Sequence, residues 1–219
     1  MGFLRDTAPA AEALYVLGDS FEYWIGDDAL DQPFNREVAG AFRALAGRGV
    51  RLRFMHGNRD FLIGSRFVRE SGMQLLSDPI LVNLYGLPTL LMHGDTLCSG
   101  DVEYQKFRAM VRNPAWQQAF LAKPLAERER MAREIRGQSE QAKQVKDMAI
   151  MDVAPATVEE VLRSHAYPRL IHGHTHRPAR HEHVVDDRLC ERWVLADWYA
   201  SGSHLRCAGR EITAVASPS

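Results

Sequence analysis

Four short motifs in this chain join a brief apolar run to a glycine and to side chains that bind metals. They are Gly18-Asp19, His56-Gly57-Asn58-Arg59-Asp60, His93-Gly94-Asp95 and His172-Gly173-His174-Thr175-His176. Each apolar run predicts a buried strand that stops abruptly, and glycine lets the backbone turn tightly there. Aspartate, asparagine and histidine together form the mixed oxygen and nitrogen set that suits manganese, iron or zinc in a hydrolytic centre. Four such motifs in one chain predict a two-metal phosphoesterase.

The spacing of the motifs also predicts which side chains would bind each metal. A two-metal phosphoesterase needs a bridging carboxylate that holds two cations about 3.5–4 Å apart, so that both polarise one phosphate and generate hydroxide from water. Asp19 is the predicted bridge. The ligands predicted for the first metal are Asp19, Asn58, His93 and His174. His176 lies two residues beyond His174, so in an extended segment both rings point the same way, and His176 is the ligand predicted for the second metal.

The remaining polar residues of the motifs receive different interpretations. We expect Asp19, Asn58 and His93 to act directly in catalysis, and Arg59 to grip a phosphate oxygen, because a guanidinium binds phosphate well. His172 shares a face with His174, which leaves two interpretations, a third imidazole ligand or a residue that supports the ligands; we favour the second. The other histidines, including His56, are interpreted as structural.

The bulk properties of the chain fit an ordinary enzyme with one core. It has 219 residues, of which 46% are hydrophobic, and a formal net charge of -1, so no overall basic field points to nucleic acid. The three cysteines are widely spaced without a Cys-x-x-Cys pair, and we expect reduced thiols in a cytosolic protein. No apolar run approaches the length of a membrane span, and no signal peptide is visible, so we expect any membrane contact to be peripheral.

Strand and helix patterns alternate along the chain and predict an α/β fold. Helices are expected over 35–47, 65–71 and 158–165, strands over 14–17, 52–55, 80–84, 89–92 and 170–172, and the last strands from Arg192 onward. We expect residues 1–219 to form a single domain. The polar section from about 102 to 151 is predicted to be a helical insertion above the core rather than part of the sheet.

One apolar stripe in this insertion is open to two interpretations. Trp116, Phe120, Leu121 and Leu125 recur at helical spacing, and basic residues lie beside and after them. Such a helix either lies at a lipid interface, where it could shelter acyl chains, or packs its stripe on the core of the protein. The sequence favours neither interpretation.

The four motifs resemble those of the calcineurin-like metallophosphoesterase superfamily. Longer strings are similar to the UDP-2,3-diacylglucosamine diphosphatase family of lipid A biosynthesis in Gram-negative bacteria. They are Leu-Gly-Asp-Ser-Phe-Glu-Tyr-Trp-Ile-Gly-Asp-Asp (17–28), His-Gly-Asn-Arg-Asp-Phe-Leu-Ile-Gly (56–64), Met-His-Gly-Asp-Thr-Leu-Cys (92–98), Met-Ala-Ile-Met-Asp-Val (148–153) and Leu-Ile-His-Gly-His-Thr-His-Arg-Pro (170–178). This resemblance implies a β-sandwich flanked by helices, with a helical cap.

The resemblance also implies an activity, a cofactor and a location. The family hydrolyses the pyrophosphate of UDP-2,3-diacylglucosamine, uses two manganese ions per site, and sits at the cytoplasmic face of the inner membrane as a peripheral protein. It implies neither a nucleic acid nor an obligate protein partner. The substrate-binding positions that it implies are Asn58, Arg59, Asp101, Ser139, Lys143, Lys146 and His174, with Lys143 standing where the family usually has asparagine. Ser139, Lys143 and Lys146 fall at i, i+4 and i+7, on one helical face.

One departure from the family pattern concerns the first strand. The family opens with an apolar strand ending in Asp-x-His, which supplies two ligands, and no Asp-x-His precedes Asp19 here. We therefore expect the first core strand to be missing, one complete metal site, and a second site that keeps Asp19 and His176. Two alternatives follow, namely a weakly active or inactive member that only binds lipid or nucleotide, and a metallophosphoesterase with another phosphoester substrate.

Overall fold

The computed structural model describes residues 2–145, 150–198 and 202–217, and within these ranges the protein is a mixed α/β structure. The α-helices are α1 (Pro33–Gly47), α2 (Ser65–Ser71), α3 (Val102–Val111), α4 (Pro114–Leu121), α5 (Leu125–Val145) and α6 (Pro155–Ser164). The strands are β1 (Ala13–Val16), β2 (Arg51–Met55), β3 (Gln74–Leu76), β4 (Ile80–Leu84), β5 (Leu87–Met92), β6 (Arg169–His172), β7 (Ala179–Val185), β8 (Arg188–Val194), β9 (Gly202–Ala208) and β10 (Glu211–Ser217). The predicted α/β class is confirmed.

The strands form two sheets and a separate hairpin. One sheet has the order β1-β2-β3 and is parallel throughout, while the other has the order β4-β5-β6-β8-β7, with β5, β6 and β8 parallel at its centre. Strands β9 and β10 pair with each other as an antiparallel hairpin. Because neighbouring parallel strands end at the same edge of a sheet, the loops after β1 and β2 meet in one place, and so do the loops after β5, β6 and β8.

The two sheets contact each other through a small apolar cluster at the ends of these strands. Leu17, Met55, Leu91 and Ile171 are all buried and pack together. Two of them come from the first sheet and its following loop, and two come from the second sheet. This cluster therefore holds the strand ends of both sheets together, which is where the four motifs begin.

Helices α1 and α6 begin earlier than the apolar pattern alone predicts. Pro33 opens α1 and Pro155 opens α6, and both helices bury one apolar face. Proline suits the first turn of a helix, because its fixed φ is already helical and the amide hydrogen that it lacks has no partner there. In each case the proline is the sequence signal that marks the first residue of the helix.

The end of the chain contains more sheet than expected, since the last strands begin at Ala179 and not at Arg192. Strands β7 and β8 form a hairpin whose exposed face carries charged cross-strand pairs, such as Arg180 with Glu191 at 2.7 Å. Its turn is made by Asp186 and Asp187, both with positive φ. The charges hide the strand pattern, but the Asp-Asp turn between two alternating runs is a hairpin signal.

The described residues 102–145 of the predicted insertion contain helices α3, α4 and α5, and the apolar stripe packs largely on the protein. Phe120 is buried, and Trp116 stacks on it with ring centroids 5.0 Å apart and contacts the same core cluster, as does Leu125. Leu121 is exposed. The core-packing interpretation therefore holds for three of the four stripe residues.

A buried cation also fastens the insertion to the core. Arg128 of α5 is only 3% exposed, and its guanidinium donates hydrogen bonds to the carbonyl of Ile25 and to the Asp28 carboxylate. A buried guanidinium is stable only when it is paired, so this contact fixes where α5 lies on the core.

Strand β1 is an edge strand whose four residues are half-buried. Its free edge faces a groove of about 1570 Å³, which continues past Asp19 and His174 to the β9–β10 hairpin. In the described part of the chain, no helix is long and apolar enough to span a membrane.

Candidate metal centre

The two sheets bring the four motifs to one point. One ligand atom each from Asp19, His93 and His174 lies within 4.8 Å of the others. Asn58 joins this group, since its Oδ1 is 3.0 Å from Nε2 of His93 and 2.9 Å from Nδ1 of His174. These are the four residues predicted for the first metal. They come from the loops after β1, β2, β5 and β6.

The close approach of the loops depends on two glycines. A Cβ on Gly18 would collide with the backbone of Gly57 and lie 2.8 Å from Nδ1 of His93, and a Cβ on Gly57 would collide with the Asp19 carboxylate. Gly18 also has a φ of 89°, which L-residues with a side chain rarely adopt. Any other residue at either position would push the loops apart and move Asp19.

Three predicted ligands have unusual backbone conformations. Asp19, His174 and His176 have φ values of 57°, 68° and 55°. Non-glycine residues in this left-handed region are uncommon, and strained backbone of this kind concentrates at functional sites, where surrounding structure compensates for it.

The tautomer of His93 suits metal binding. Its Nδ1 lies 2.7 Å from the carbonyl oxygen of Leu17, an acceptor, so Nδ1 donates its hydrogen there, and Nε2 accepts a hydrogen bond from the backbone N–H of Asn58 at 3.3 Å. A histidine that binds metal usually donates its other N–H to a carbonyl or carboxylate in this way. His93 is 1% exposed, which keeps this orientation fixed.

The pKa values of the two imidazoles are shifted in opposite directions. Burial, with a contribution from nearby His93, lowers the pKa of His174 to about 3, so this ring is neutral at physiological pH, as a ligand must be. Burial also lowers the pKa of His93, but the carboxylates of Asp19 and Asp95 outweigh it and the net pKa is raised. The two nearby carboxylates therefore favour positive charge at the His93 ring.

Asp60 organises the loops and was not among the predicted site residues. It is fully buried and accepts hydrogen bonds from the backbone N–H of Gly57 and of Ser20, both at 2.7 Å. Burial and the charge of Asp19 raise the pKa of Asp60 to about 6. The carboxylate thus ties the loop after β2 to the loop after β1. The sequence signal for Asp60 is its place at the end of the Gly-Asn-Arg-Asp motif.

Arg59 lies beside the cluster and points toward carboxylates. Its backbone N–H donates to Oδ1 of Asp19 at 3.1 Å, its Nε lies 3.5 Å from Oδ2, and its Nη1 lies 3.2 Å from the Glu22 carboxylate. The side chain is only 8% exposed. A guanidinium held in this position is a charged donor at the rim of the ligand cluster, where a phosphate would approach.

Glu22 also connects the cluster to the helical insertion. Arg136 of α5 donates a hydrogen bond to Oε2 of Glu22 at 2.9 Å, and Glu22 is the residue that pairs with Arg59. Ser139 lies three residues after Arg136, so it occupies the same face of α5 one turn further along, and it is half-buried. This face of α5 is therefore next to the loop that carries Asp19.

Asp101, Lys143 and Lys146 are the remaining predicted substrate contacts. Asp101 has a structural role, and the two lysines lie where side chains are not described. The carboxylate of Asp101 caps helix α3 by accepting a hydrogen bond from the Tyr104 N–H at 3.1 Å. For Lys143 only the helical backbone of α5 is described, and Lys146 lies outside the described residues.

Asp95 is a buried carboxylate that interacts electrostatically with His93 of the cluster. It is fully buried and accepts hydrogen bonds from the Tyr104 hydroxyl at 2.8 Å and from Arg108 at 2.7 Å. Burial would raise its pKa, but His93 and Arg108 outweigh that effect and lower it, so Asp95 is ionised. The ring of Tyr104 lies 5.6 Å from that of His174 in a tilted contact.

Two histidines of the motifs are structural, in agreement with the interpretation from sequence. His172 is fully buried, its Nδ1 donates to the Gly173 carbonyl, and its Nε2 accepts a hydrogen bond from Arg192 at 3.1 Å. Burial lowers the pKa of His172 to about 4. Nε2 of His56 lies 2.8 Å from the carbonyl oxygen of Ile63.

His176, the ligand predicted for the second metal, lies further out. Its ring is 28% exposed, and its Nδ1 is 3.9 Å from Oδ2 of Asp197, which follows β8. Both residues line the groove that also contains Asp19. Asp197 is not among the site residues predicted from the sequence.

The chain is similar to several proteins that share one name. It is 53% identical over 207 residues to the UDP-2,3-diacylglucosamine hydrolase of Aromatoleum aromaticum, covering 94% of this chain and 84% of that protein. It is 50% identical to the Aeromonas hydrophila protein of the same name, covering 94% and 85%. The Serratia proteamaculans protein, also of that name, is 47% identical over 99% of this chain and 90% of its own length.

The chain belongs to the UDP-2,3-diacylglucosamine hydrolase family. The family that the motifs resemble is thus confirmed by identity across nearly the whole chain. No protein-family model matches the chain. Among solved structures, an archaeal phosphodiesterase is similar over 98% of this chain and 87% of its own, with a TM-score of 0.46 and 14% identity.

Proposed function

We propose that this protein hydrolyses the pyrophosphate bond of UDP-2,3-diacylglucosamine. Water attacks one phosphorus, the bond to the bridging oxygen breaks, and the products are UMP and 2,3-diacylglucosamine 1-phosphate (lipid X), an intermediate of lipid A biosynthesis. The observation that carries the proposal is the ligand cluster of Asp19, Asn58, His93 and His174, in a chain whose family relatives bear the name of this hydrolase.

The donor set of the cluster fits manganese as the cofactor. It offers a carboxylate, an amide oxygen and two imidazoles, which is a hard and borderline set suited to Mn²⁺. The tautomer of His93 and the neutral ring of His174 leave lone pairs for a cation. Such a cation supplies Lewis acidity toward a phosphate oxygen and makes hydroxide accessible near neutral pH.

The chain's own residues bind and orient the substrate around this centre. Arg59 supplies a guanidinium at the rim, where it donates to the oxygens of the pyrophosphate; its present contacts with Asp19 and Glu22 hold it in place beforehand. Ser139, on the face of α5 beside Glu22, contributes a hydroxyl to the sugar or phosphate. Asp101, Lys143 and Lys146 are proposed as further substrate contacts of the same helical insertion, which we propose to be a cap on a single domain spanning 1–219.

We further propose that the protein works at the cytoplasmic face of the inner membrane of a Gram-negative bacterium, as a peripheral protein. A substrate with two acyl chains resides in a membrane, and exposed apolar side chains of the insertion, Leu121 and Met110, provide contact points. Vesicles containing anionic lipid should sediment the protein at low salt. Replacement of both side chains by glutamate should prevent sedimentation, and unchanged sedimentation would place the contact elsewhere.

The activity can be tested with purified protein stripped of metal and then supplied with Mn²⁺. Incubation with UDP-2,3-diacylglucosamine in ¹⁸O-labelled water should yield UMP and the 1-phosphate, with the label in only one product, as read by mass spectrometry. The Asn58→Ala variant is the matched control and should yield neither. Cleavage of simple phosphodiesters without cleavage of the glycolipid would favour another substrate, and binding of the glycolipid without products would favour a non-catalytic binder.

A further inference from the structure

The helical insertion contacts the loops of the metal centre through one face of helix α3. Tyr104, Arg108 and Arg112 follow one another at intervals of four residues, so their side chains lie on the same face. Tyr104 and Arg108 donate hydrogen bonds to Asp95, at 2.8 Å and 2.7 Å. Arg112, which directly follows α3, donates from Nη2 to the carbonyl oxygen of Gly57 at 2.8 Å. The insertion therefore holds both the loop after β5 and the loop after β2.

The position of Gly57 affects two of the four predicted metal ligands. Its carbonyl belongs to the same planar peptide as the N–H of Asn58, so the orientation of that carbonyl fixes the orientation of the Asn58 backbone. Gly57 also lies so close to Asp19 that an added Cβ would collide with the carboxylate. A shift of this peptide would therefore move Asn58 and remove the surface against which Asp19 packs.

Two side chains hold Gly57 from opposite ends of the residue. Asp60 accepts a hydrogen bond from its N–H at 2.7 Å, and Arg112 donates one to its carbonyl. Asp60 belongs to the same loop as Gly57, whereas Arg112 comes from the insertion. The loop after β2 is thus fixed by its own carboxylate and by a guanidinium from a distant part of the chain.

The surroundings of Arg112 show that pairing with a carboxylate does not determine its place. Its side chain is half-buried, and its Cζ lies 5.1 Å from the centre of the Phe61 ring. Among the described residues, no carboxylate forms an ion pair with it. Burial lowers the pKa of Arg112, and the attraction of Asp95 offsets this only in part. Because a cation is costly to remove from water, the hydrogen bond to Gly57 and the stacking on Phe61 are the contacts that hold it there.

We propose that Arg112 is a positioning residue of the metal centre, which holds the Gly57 peptide and thereby keeps Asn58 and Asp19 in the arrangement that binds the cation. The proposal rests on the proposed function, because it concerns the same ligand cluster. It assigns to the helical insertion a role in metal binding, in addition to the contacts with substrate proposed above.

The direction of the effect separates positioning from electrostatics. Arg112 is a cation close to a cation site, so removal of its charge alone would strengthen the binding of Mn²⁺. Loss of the hydrogen bond to Gly57 should instead weaken binding by about 10- to 100-fold, the usual effect of losing a group that orients a metal ligand. The two explanations therefore predict changes of opposite sign.

Titration of the metal-free protein with Mn²⁺, followed by electron paramagnetic resonance, measures binding without any substrate. Arg112→Met removes the donors but keeps an aliphatic side chain over Phe61, and it should weaken Mn²⁺ binding by at least about tenfold. Arg112→Lys keeps a charged donor and should bind Mn²⁺ within about threefold of the parent. Arg130→Met, at an exposed position of α5, is the matched control and should leave the affinity unchanged. Unchanged or tighter binding in Arg112→Met, or equal weakening in Arg112→Met and Arg112→Lys, would overturn the proposal.

Stability is measured separately from affinity, by urea denaturation of the metal-free proteins. If Arg112 contributed to folding alone, Arg112→Met would unfold more easily and keep the Mn²⁺ dissociation constant of the parent, which would overturn the proposal. If Arg112→Met does not fold, Arg112→Gln takes its place, because its amide is too short to reach the Gly57 carbonyl. The same weakening of Mn²⁺ binding is then expected.

The titration also distinguishes failure of this proposal from failure of the proposed function. If the parent protein binds no Mn²⁺, the proposed function fails, and the role of Arg112 fails with it. If the parent binds Mn²⁺ tightly and Arg112→Met binds it equally well, only the role of Arg112 fails and the ligand cluster stands.

Discussion

The two halves of the centre differ in how firmly the fold holds them. Around His93 every polar contact is specified: the ring is buried, Nδ1 is bonded to the Leu17 carbonyl, and Nε2 faces Asn58. Around His176 the ring is partly exposed, and its carboxylate neighbour Asp197 is half-exposed. Burial with satisfied hydrogen bonds positions a ligand in advance, whereas an exposed ligand must be ordered when the ion binds, which costs conformational entropy. We therefore expect a preorganised part around His93 and an adaptable part around His176.

The largest expected effect comes from removing one ligand on each side. His174→Ala should weaken tight Mn²⁺ binding by more than about a hundredfold, since loss of a direct ligand exceeds the roughly 10–100-fold effect of losing a supporting residue. His176→Ala should change the tight step by less than about threefold. Calorimetric titration measures both. Equal losses in the two variants would remove the distinction between the halves.

A somewhat smaller effect is expected at the rim between the halves. Arg59→Ala should weaken binding of the UDP-glycolipid by about 1.5–3 kcal/mol, the range of a charge-assisted hydrogen bond. Arg36→Ala, an exposed arginine on α1 paired with Asp31, is the control and should leave affinity unchanged. If Arg59→Ala binds the lipid as tightly as the parent, Arg59 does not contact the pyrophosphate.

The preorganised half should also depend on Asp60 for its stability. Asp60→Asn keeps one acceptor oxygen but places an amide N–H against a backbone N–H of Ser20 or Gly57, so the free energy of unfolding should fall by about 1–3 kcal/mol. Urea denaturation measures the change. Asp187→Asn, in the β7–β8 turn, is the comparison and should cost less than about 0.5 kcal/mol. A fully stable Asp60→Asn protein would show that the loops are held by other contacts.

The same contrast between buried and exposed side chains applies to helix α4. Trp116→Glu should lower the free energy of unfolding by about 1–2 kcal/mol, because the ring loses its stacking on Phe120 and its contact with the core. Leu121→Glu, at the exposed position five residues later, should lower it by less than about 0.5 kcal/mol. Thermal denaturation of both variants checks this. A larger loss of stability in Leu121→Glu than in Trp116→Glu would contradict core packing and favour the lipid-interface interpretation of the stripe.

The sequence predicted the complete half of the centre better than the adaptable half. Asp19, Asn58, His93 and His174 each follow an apolar run at a strand end, and parallel strand ends meet, so local pattern is enough to predict that they gather. Asp197 follows β8, of which the sequence predicted only the part from Arg192 onward, and it belongs to none of the four motifs. The structural role of Asp60 was not predicted either, because it depends on a hydrogen bond from the backbone N–H of Ser20 in a distant loop. Such contacts arise only from tertiary structure, which periodicity cannot report.

The measurement that tests the central claim most directly is anomalous X-ray diffraction from crystals soaked in Mn²⁺, recorded at the manganese edge. The account predicts a strong peak bounded by the Asp19 carboxylate, Oδ1 of Asn58, and the rings of His93 and His174, and a weaker one on the side of His176. A strong peak only beside His176, or no peak among the four residues of the buried cluster, would contradict it.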